Sequence, residues 1–320
     1  MRFLVTILPA LSLVFSGLAF GQSYPDKPIK IYQGFAAGGN ADTIARLVSG
    51  EISKGIKQAF IVEAQTGAGG TIAAGTVARA SPDGYTLLLA TGGHAVAAAL
   101  YQKISYKTIA DFQPISTITY FPFLIVTTAD SKYKTLIDVL KDAKQNPGLI
   151  SYGSAGIGST HHLAGELLAK MAGVEMTHVP YRGDSASLTA LLSGEVPIII
   201  APPTAVNANI SAGKLRVLAT TGPNRWPSQP NIPTVSEQGI KGYEVRSWAG
   251  LLAPINTPKA VVQLLNKEIL KAIQVPQVKE RLEEMGGEVR GSTPEEFNKL
   301  IKSDVDKWNF LIKSTNIPQQ

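Results

Sequence analysis

The sequence predicts an α/β protein of two domains, each a mostly parallel sheet flanked by helices, with a cleft between them. Three observations predict it. Short β-branched runs alternate with helical patterns, as in βα units. Glycine-rich turns follow several of these runs and lead into helices. The 320 residues suffice for two domains of roughly 150 each once a leader-like start is set aside.

The strand runs, in order, are Ile29 to Tyr32, Phe60 to Val62, Tyr85 to Leu89, Leu124 to Val126, Val196 to Ile200, and Leu215 to Ala219. Between the first two, Ile44, Leu47, Val48, Ile52 and Ile56 share one face of a 3.6-residue helix. Leu264, Leu265 and Ile269, and then Phe297, Leu300, Ile301, Trp308 and Leu311, repeat that pattern near the C-terminus. The sequence carries no internal repeat and no low-complexity segment. Two stretches, Phe121 to Val126 and Tyr243 to Gly250, read as crossings between domains. One domain is therefore expected from residues 22–124 with 244–320, and the other from 125–243. Two crossings make a hinge.

The chain opens with a single charge, Arg2, an apolar run from Leu4 to Phe15, and small residues from Ser16 to Gly21. This is the pattern of a cleaved signal peptide over residues 1–21, since the run falls short of the ~20 apolar residues a spanning helix needs. A soluble, exported protein starting near Gln22 is expected. With no cysteine, its stability must come from a packed core, and 44% hydrophobic with 17% charged residues is globular composition. Loss of Arg2 would lower the formal charge from +6 to +5, still basic. The lysines are scattered over helix faces, with no Lys/Arg-rich block and no aromatic-basic interleaving of the single-strand-binding kind, so nucleic acid is not an expected partner, whereas small anions are.

Gly34-Phe35-Ala36-Ala37-Gly38-Gly39-Asn40-Ala41-Asp42 joins the first strand to its helix. A glycine-rich turn at a helix start aims backbone N–H groups outward at the positive end of the dipole, where an anion binds. The spacing resembles a nucleotide P-loop, but Asn40 stands where the lysine belongs, which disfavours triphosphate. Asp42 reads as a residue satisfying backbone donors at the helix N-terminus. A second such turn runs from Gly153 to Thr160, with His161-His162-Leu163 opening a helix. Gln65 to Gly70 and Thr91 to His94 would open on the same sheet edge, at the carboxyl ends of the strands. Each loop taken alone is equally a tight turn shaped by glycine. Ser154 and Ser159 invite a hydrolase reading, yet neither lies in G-x-S-x-G. His162 and Glu166 are one helical turn apart but lack a third metal ligand, so no metal is expected.

Nine segments in order carry a family resemblance. They are Tyr24-Pro25-x-Lys27-Pro28-Ile29, Gly38-Gly39-x-x-Asp42-x-x-Ala45-Arg46, Gly67-Ala68-Gly69-Gly70, Ser81-Pro82-Asp83-Gly84-Tyr85-Thr86-Leu87, Tyr152 to Glu166, His178-Val179-Pro180-Tyr181-Arg182-Gly183, Ala212-Gly213-Lys214-Leu215-Arg216, Ile232-Pro233-Thr234-Val235 and Ser292-Thr293-Pro294-Glu295-Glu296-Phe297. Over nearly the whole chain beyond the leader they resemble the periplasmic binding proteins of tripartite tricarboxylate transporters, the Bug or TctC family. The resemblance implies a two-lobed, type II-like Venus-flytrap clamp with no catalytic residues and no cofactor. It further implies a monomer that delivers a small carboxylate to membrane transporter subunits. One jaw would be Phe35, Ala36, Ala37, Gly38, Gly39 and Asn40, helped by Gln65, Thr66, Gly67, Thr91 and Gly92. The other would comprise Ser154, Gly158, Ser159, Thr160, His161, Tyr181, Arg182 and Pro202.

Three departures from the family pattern bear on the ligand. Ala36-Ala37 replaces a proline pair, Ala64-Gln65-Thr66 replaces Asn-Arg-Pro, and Pro197 and Ala201-Pro202 stand where acidic residues often occur. These changes argue against an amino acid and leave a di- or tricarboxylate with an aliphatic or aromatic body. The competing readings are a secreted hydrolase or lyase using Ser154 or Ser159 with His161, and a partner that presents bound ligand to a membrane sensor kinase.

Overall fold

The computed structural model describes residues 24–226, 229–315, 317 and 319. The segment read from sequence as a signal peptide, residues 1–21, lies outside the described residues.

Two sheets organise the chain. The first lobe opens with β1 (Ile29–Gln33), α1 (Asn40–Ile56), β2 (Phe60–Ala64), α2 (Thr71–Ala78), β3 (Thr86–Thr91), α3 (Gly93–Leu100) and β4 (Phe112–Pro122). The second lobe holds β5 (Leu124–Thr128), α4 (Leu136–Gln145), β6 (Ser151–Ser154), α5 (Thr160–Ala172), β7 (Thr177–Pro180), α6 (Asp184–Leu192), β8 (Ile198–Ala201), α7 (Pro203–Ser211) and β9 (Leu215–Thr220). The chain then returns to the first lobe as β10 (Arg246–Pro254), α8 (Lys259–Ala272), α9 (Pro276–Glu284), β11 (Glu288–Val289) and α10 (Pro294–Thr315). The strand orders are β11-β4-β10-β3-β1-β2 and β7-β6-β8-β5-β9.

In each lobe the βα units pair in parallel, β2 with β1 with β3, and β7 with β6 with β8. The crossing strands run the other way. Both β4 and β10, and both β5 and β9, enter antiparallel pairs, so each sheet is mixed. The parallel centres are apolar on both faces: Leu87, Leu88, Leu89 and Ala90 in β3 and all four residues of β8 are buried. That is the expected consequence of helices covering both sides.

Strand β4 has no unbroken apolar run because Ser116, Thr117 and Thr119 are buried among its Phe112, Ile115, Ile118 and Phe121. Their hydroxyls donate to backbone carbonyls of the segment after β11's start: Ser116 to Ser292 (3.0 Å), Thr117 to Arg290 (2.8 Å) and Thr119 to Glu288 (3.2 Å). Burial of these hydroxyls is offset by those bonds.

The two crossings lie side by side. Thr221, fully buried, accepts a hydrogen bond from the Phe123 amide at 2.8 Å and donates its hydroxyl to the Val245 carbonyl at 2.7 Å. Its own amide donates to the Phe123 carbonyl, and its carbonyl accepts from Val245. One threonine thus pins both interlobe strands together.

Candidate functional site

The first jaw is built from the end of β1. Gln33 is fully buried, yet its amide group is satisfied: Oε1 accepts from the Phe35 amide at 2.8 Å and Nε2 donates to Asp42 Oδ1 at 3.3 Å. Asp42 Oδ2 accepts from the Gly38 amide at 3.0 Å and from Arg46 Nε at 2.8 Å. Gly38 has φ 77°, a left-handed conformation that glycine adopts without a Cβ penalty. Burial raises the Asp42 pKa, but the Arg46 guanidinium, the Gly38 amide and Gln33 together hold it below the usual carboxylate range. The loop from Gly34 to Gly39 is therefore lashed to both the strand it leaves and the helix it enters.

The second jaw follows β6. Ser154 Oγ accepts from the Gly156 amide at 3.0 Å and lies 2.6 Å from His178 Nε2. Ser159 caps α5, accepting from the His162 amide at 3.2 Å and donating to the Gly156 carbonyl at 2.7 Å. His162 and His178 stack with ring centroids 4.0 Å apart. Burial holds both neutral at physiological pH, lowering His162 to about 4 and, with His162 as a further cause, His178 to about 3. The hydrolase reading fails on this geometry. The histidine beside Ser154 is His178 rather than His161, Ser154 and Ser159 are fully buried, and the Ser159 hydroxyl is committed to the helix cap. His162 Nε2 stands 3.9 Å from Glu166 Oε1, and no cluster of three metal-ligating side chains forms among the described residues.

Six helices open onto the space between the jaws: α1, α2 and α3 from one lobe, and α5, α6 and α7 from the other. Residues at or just before each first turn line the cavities there: Asn40 and Ala41, Gly69, Thr91, Thr160 and His161, Gly183 and Asp184, and Pro202. Five of the six, all except α5, have no side-chain cap. Helices α4 and α10, away from the cleft, instead have their first turns satisfied by Thr135 with Asp138 and by Thr293 with Glu296. Helices α8 and α9, also away from the cleft, have no side-chain cap either, so what marks the cleft is the convergence of six N-termini, whose dipoles point their positive ends into it.

The lobes meet across this space. Thr204 Oγ1 donates to Asn40 Oδ1 at 3.0 Å, and Tyr101 donates its hydroxyl to the Ile157 carbonyl at 3.2 Å. Gly69, at φ 64°, approaches the other lobe so closely that a Cβ there would lie 2.9 Å from the Gly158 carbonyl oxygen. An outer cavity of about 650 Å³ is bounded by Phe35, Ala36, Thr66, Gly67, Tyr181 and Arg182 among the residues expected from sequence. An inner chamber of about 20 Å³ is bounded by Phe35, Asn40, Thr91, Thr160, His161 and Pro202. Phe35 is common to both.

The other expected residues do not line these two cavities. Gly39 is the N-cap of α1, Ala37 and Gly38 are exposed on the loop, and Gln65 donates its amide to the Gln33 carbonyl. The Gly92 amide bonds the Trp248 carbonyl and Ser247 Oγ, and Gly158, at φ 79°, packs against Tyr101. Ser154 and Ser159 shape the second loop from within. Sequence reasoning missed Tyr101, Phe121, Phe123, Asp184 and Ser247, all of which line a cavity. The crossings flagged in the sequence contain Phe121, Phe123 and Ser247, so part of that signal was present. Nothing local marked Tyr101 or Asp184, which fold topology brings in.

The family model described as "Tripartite tricarboxylate transporter family receptor" (TctC) matches residues 44–317. Among solved structures, the periplasmic binding protein BugD is 34% identical, covers 93% of this chain and all of its own, and superposes with a TM-score of 0.88. Rpa4515 of R. palustris, solved with adipate, is 33% identical over 92% of this chain and 99% of its own, with a TM-score of 0.88. MatC of Rhodopseudomonas palustris, solved with bound malate, is 31% identical over 90% of this chain and all of its own, with a TM-score of 0.85. The chain belongs to the TctC family of tripartite tricarboxylate transporter receptors and is a periplasmic-type solute-binding protein, not an enzyme.

Proposed function

We propose that this protein captures a small di- or tricarboxylate between its jaws and delivers it to a tripartite tricarboxylate-type membrane transporter. One observation carries the reading: six helix N-termini from two lobes face a single cleft, and five have no side chain of their own to satisfy them. A carboxylate bound there accepts several backbone N–H bonds at the positive ends of the dipoles, so it can be buried without a full ion pair. Arg182, exposed at the outer cavity, adds a cation at the entrance. Adipate and malate in the two related structures support the ligand class.

In this reading the domains are residues 22–124 with 244–320 and residues 125–243, and they close about the Thr221 pin. Residues 1–21 direct export and are removed, leaving the working protein in the periplasm. Mass spectrometry of protein released from the periplasm by osmotic shock tests these points together. The expected result is a chain beginning near Gln22 that releases an organic acid on denaturation. A chain that keeps residues 1–21 in the membrane fraction and carries no acid contradicts it.

A further inference from the structure

Two residues lining the inner chamber carry three buried polar atoms with no hydrogen-bond partner: His161 Nδ1, His161 Nε2 and Asp184 Oδ1. Nε2 and Oδ1 are 3.2 Å apart, within ion-pair distance, but their alignment falls short of a hydrogen bond. The imidazole is held against the Phe123 ring, centroids 4.3 Å apart, and His161 is only 8% exposed. Among the described residues these two are the only ionisable side chains lining the chamber, the rest being Phe35, Asn40, Ala41, Thr91, Phe121, Phe123, Thr160, Pro202 and Ser247. Native structures rarely leave buried polar groups unpaired, so three such atoms together point to a missing partner.

The chamber's size and polarity identify that partner. About 20 Å³ admits one water-sized group. A second carboxylate is too large, has only acceptors, and would face the Asp184 carboxylate. An apolar terminus would leave all three atoms unsatisfied. An ammonium could donate to Asp184, but it would lie against the positive ends of α1, α5, α6 and α7. A hydroxyl fits best: it is neutral and satisfies two of the three atoms at once, donating to Asp184 Oδ1 and accepting from an imidazole N–H.

We infer that His161 and Asp184 form a hydroxyl-reading subsite, which makes the cleft selective for hydroxylated carboxylates over the same acids lacking the hydroxyl. The inference rests on the carboxylate reading above and narrows it. The acid's carboxylate is gripped by the jaws, and its hydroxyl passes Phe35 into the chamber. Asp184 stands at the first position of α6, facing the opposite jaw, where a Cβ added to Gly39 would lie 3.9 Å from Asp184 Oδ2. The pair belongs to one lobe, and Phe35, Asn40, Ala41 and Thr91 of the other lobe close the chamber over it.

Isothermal titration with succinate, malate and aspartate, and with adipate and 2-hydroxyadipate, tests this on the mature protein. The members of each set differ only in bearing hydrogen, hydroxyl or ammonium at one carbon. The expected result is that the hydroxy acid of at least one set binds roughly ten- to a hundredfold more tightly than its parent. His161→Phe and Asp184→Ala should each bring that ratio close to one while parent acids still bind; Asp184→Asn, which keeps an acceptor oxygen, should retain part of it. Parent and hydroxy acids bound equally, a preference that survives both variants, or aspartate bound most tightly would overturn the subsite and leave the carboxylate reading standing. Failure of every acid to bind would overturn both. Should one variant misfold by circular dichroism, the other still decides.

Discussion

At the mouth of the cleft Arg182 lines the outer cavity, is exposed, and enters no salt bridge among the described residues. A guanidinium so placed is available to a carboxylate oxygen. Arg182→Ala should weaken carboxylate binding by about 1.5–3 kcal/mol if that contact is direct. Titration calorimetry checks it, and unchanged affinity would remove Arg182 from the site. Asp42 was legible from sequence as a group satisfying backbone donors at a helix start, and its bond from the Gly38 amide is of that kind. Its bond from Gln33 was not legible, because a buried glutamine at a strand end carries no local pattern. Ser154 shows the same limit. Its partner His178 lies 24 residues away and meets it only because β6 and β7 pair in register, Ser154 opposite Pro180 and Tyr152 opposite His178.

Among the elements, those with a strong period were readable: α1 from its apolar face, β3 and β8 from their β-branched or leucine runs. Strand β4 was not, since three of its core positions are hydroxyl-bearing and find their partners 169 to 176 residues further along the chain. The crossings were readable as places where the chain changes character, but the residue joining them was not. Thr221→Val preserves shape while leaving the Phe123 amide and the Val245 carbonyl each short of a bond. An isosteric change that orphans buried groups should cost about 1–3 kcal/mol of stability. Urea denaturation measures it; a midpoint equal to that of the native protein would show that Thr221 does not pin the crossings.

For the whole molecule, three histidines kept neutral by desolvation set a common acid limit. Burial lowers His94 and His162 to about 4, and His178 to about 3, from the usual 6.5. Between those values the unfolded chain binds more protons than the folded one, so stability rises with pH there and is lost as pH falls below 6.5. The loss is roughly 2 kcal/mol per histidine at pH 5. A melting temperature that falls steadily between pH 7 and pH 5, and falls less in His94→Gln, is the expected outcome of a thermal-unfolding series. A flat profile over that range would contradict the buried neutral assignment.

The central claim is that the cleft is built for a carboxylate, and thermal unfolding of the mature protein against a panel of di- and tricarboxylates tests it most directly. A ligand that binds only the folded state stabilises it by about 2.7 kcal/mol at a hundred times its dissociation constant. The account predicts a concentration-dependent rise in melting temperature for at least one acid and none for the corresponding diamide. No rise for any acid, or an equal rise for acid and diamide, would contradict it.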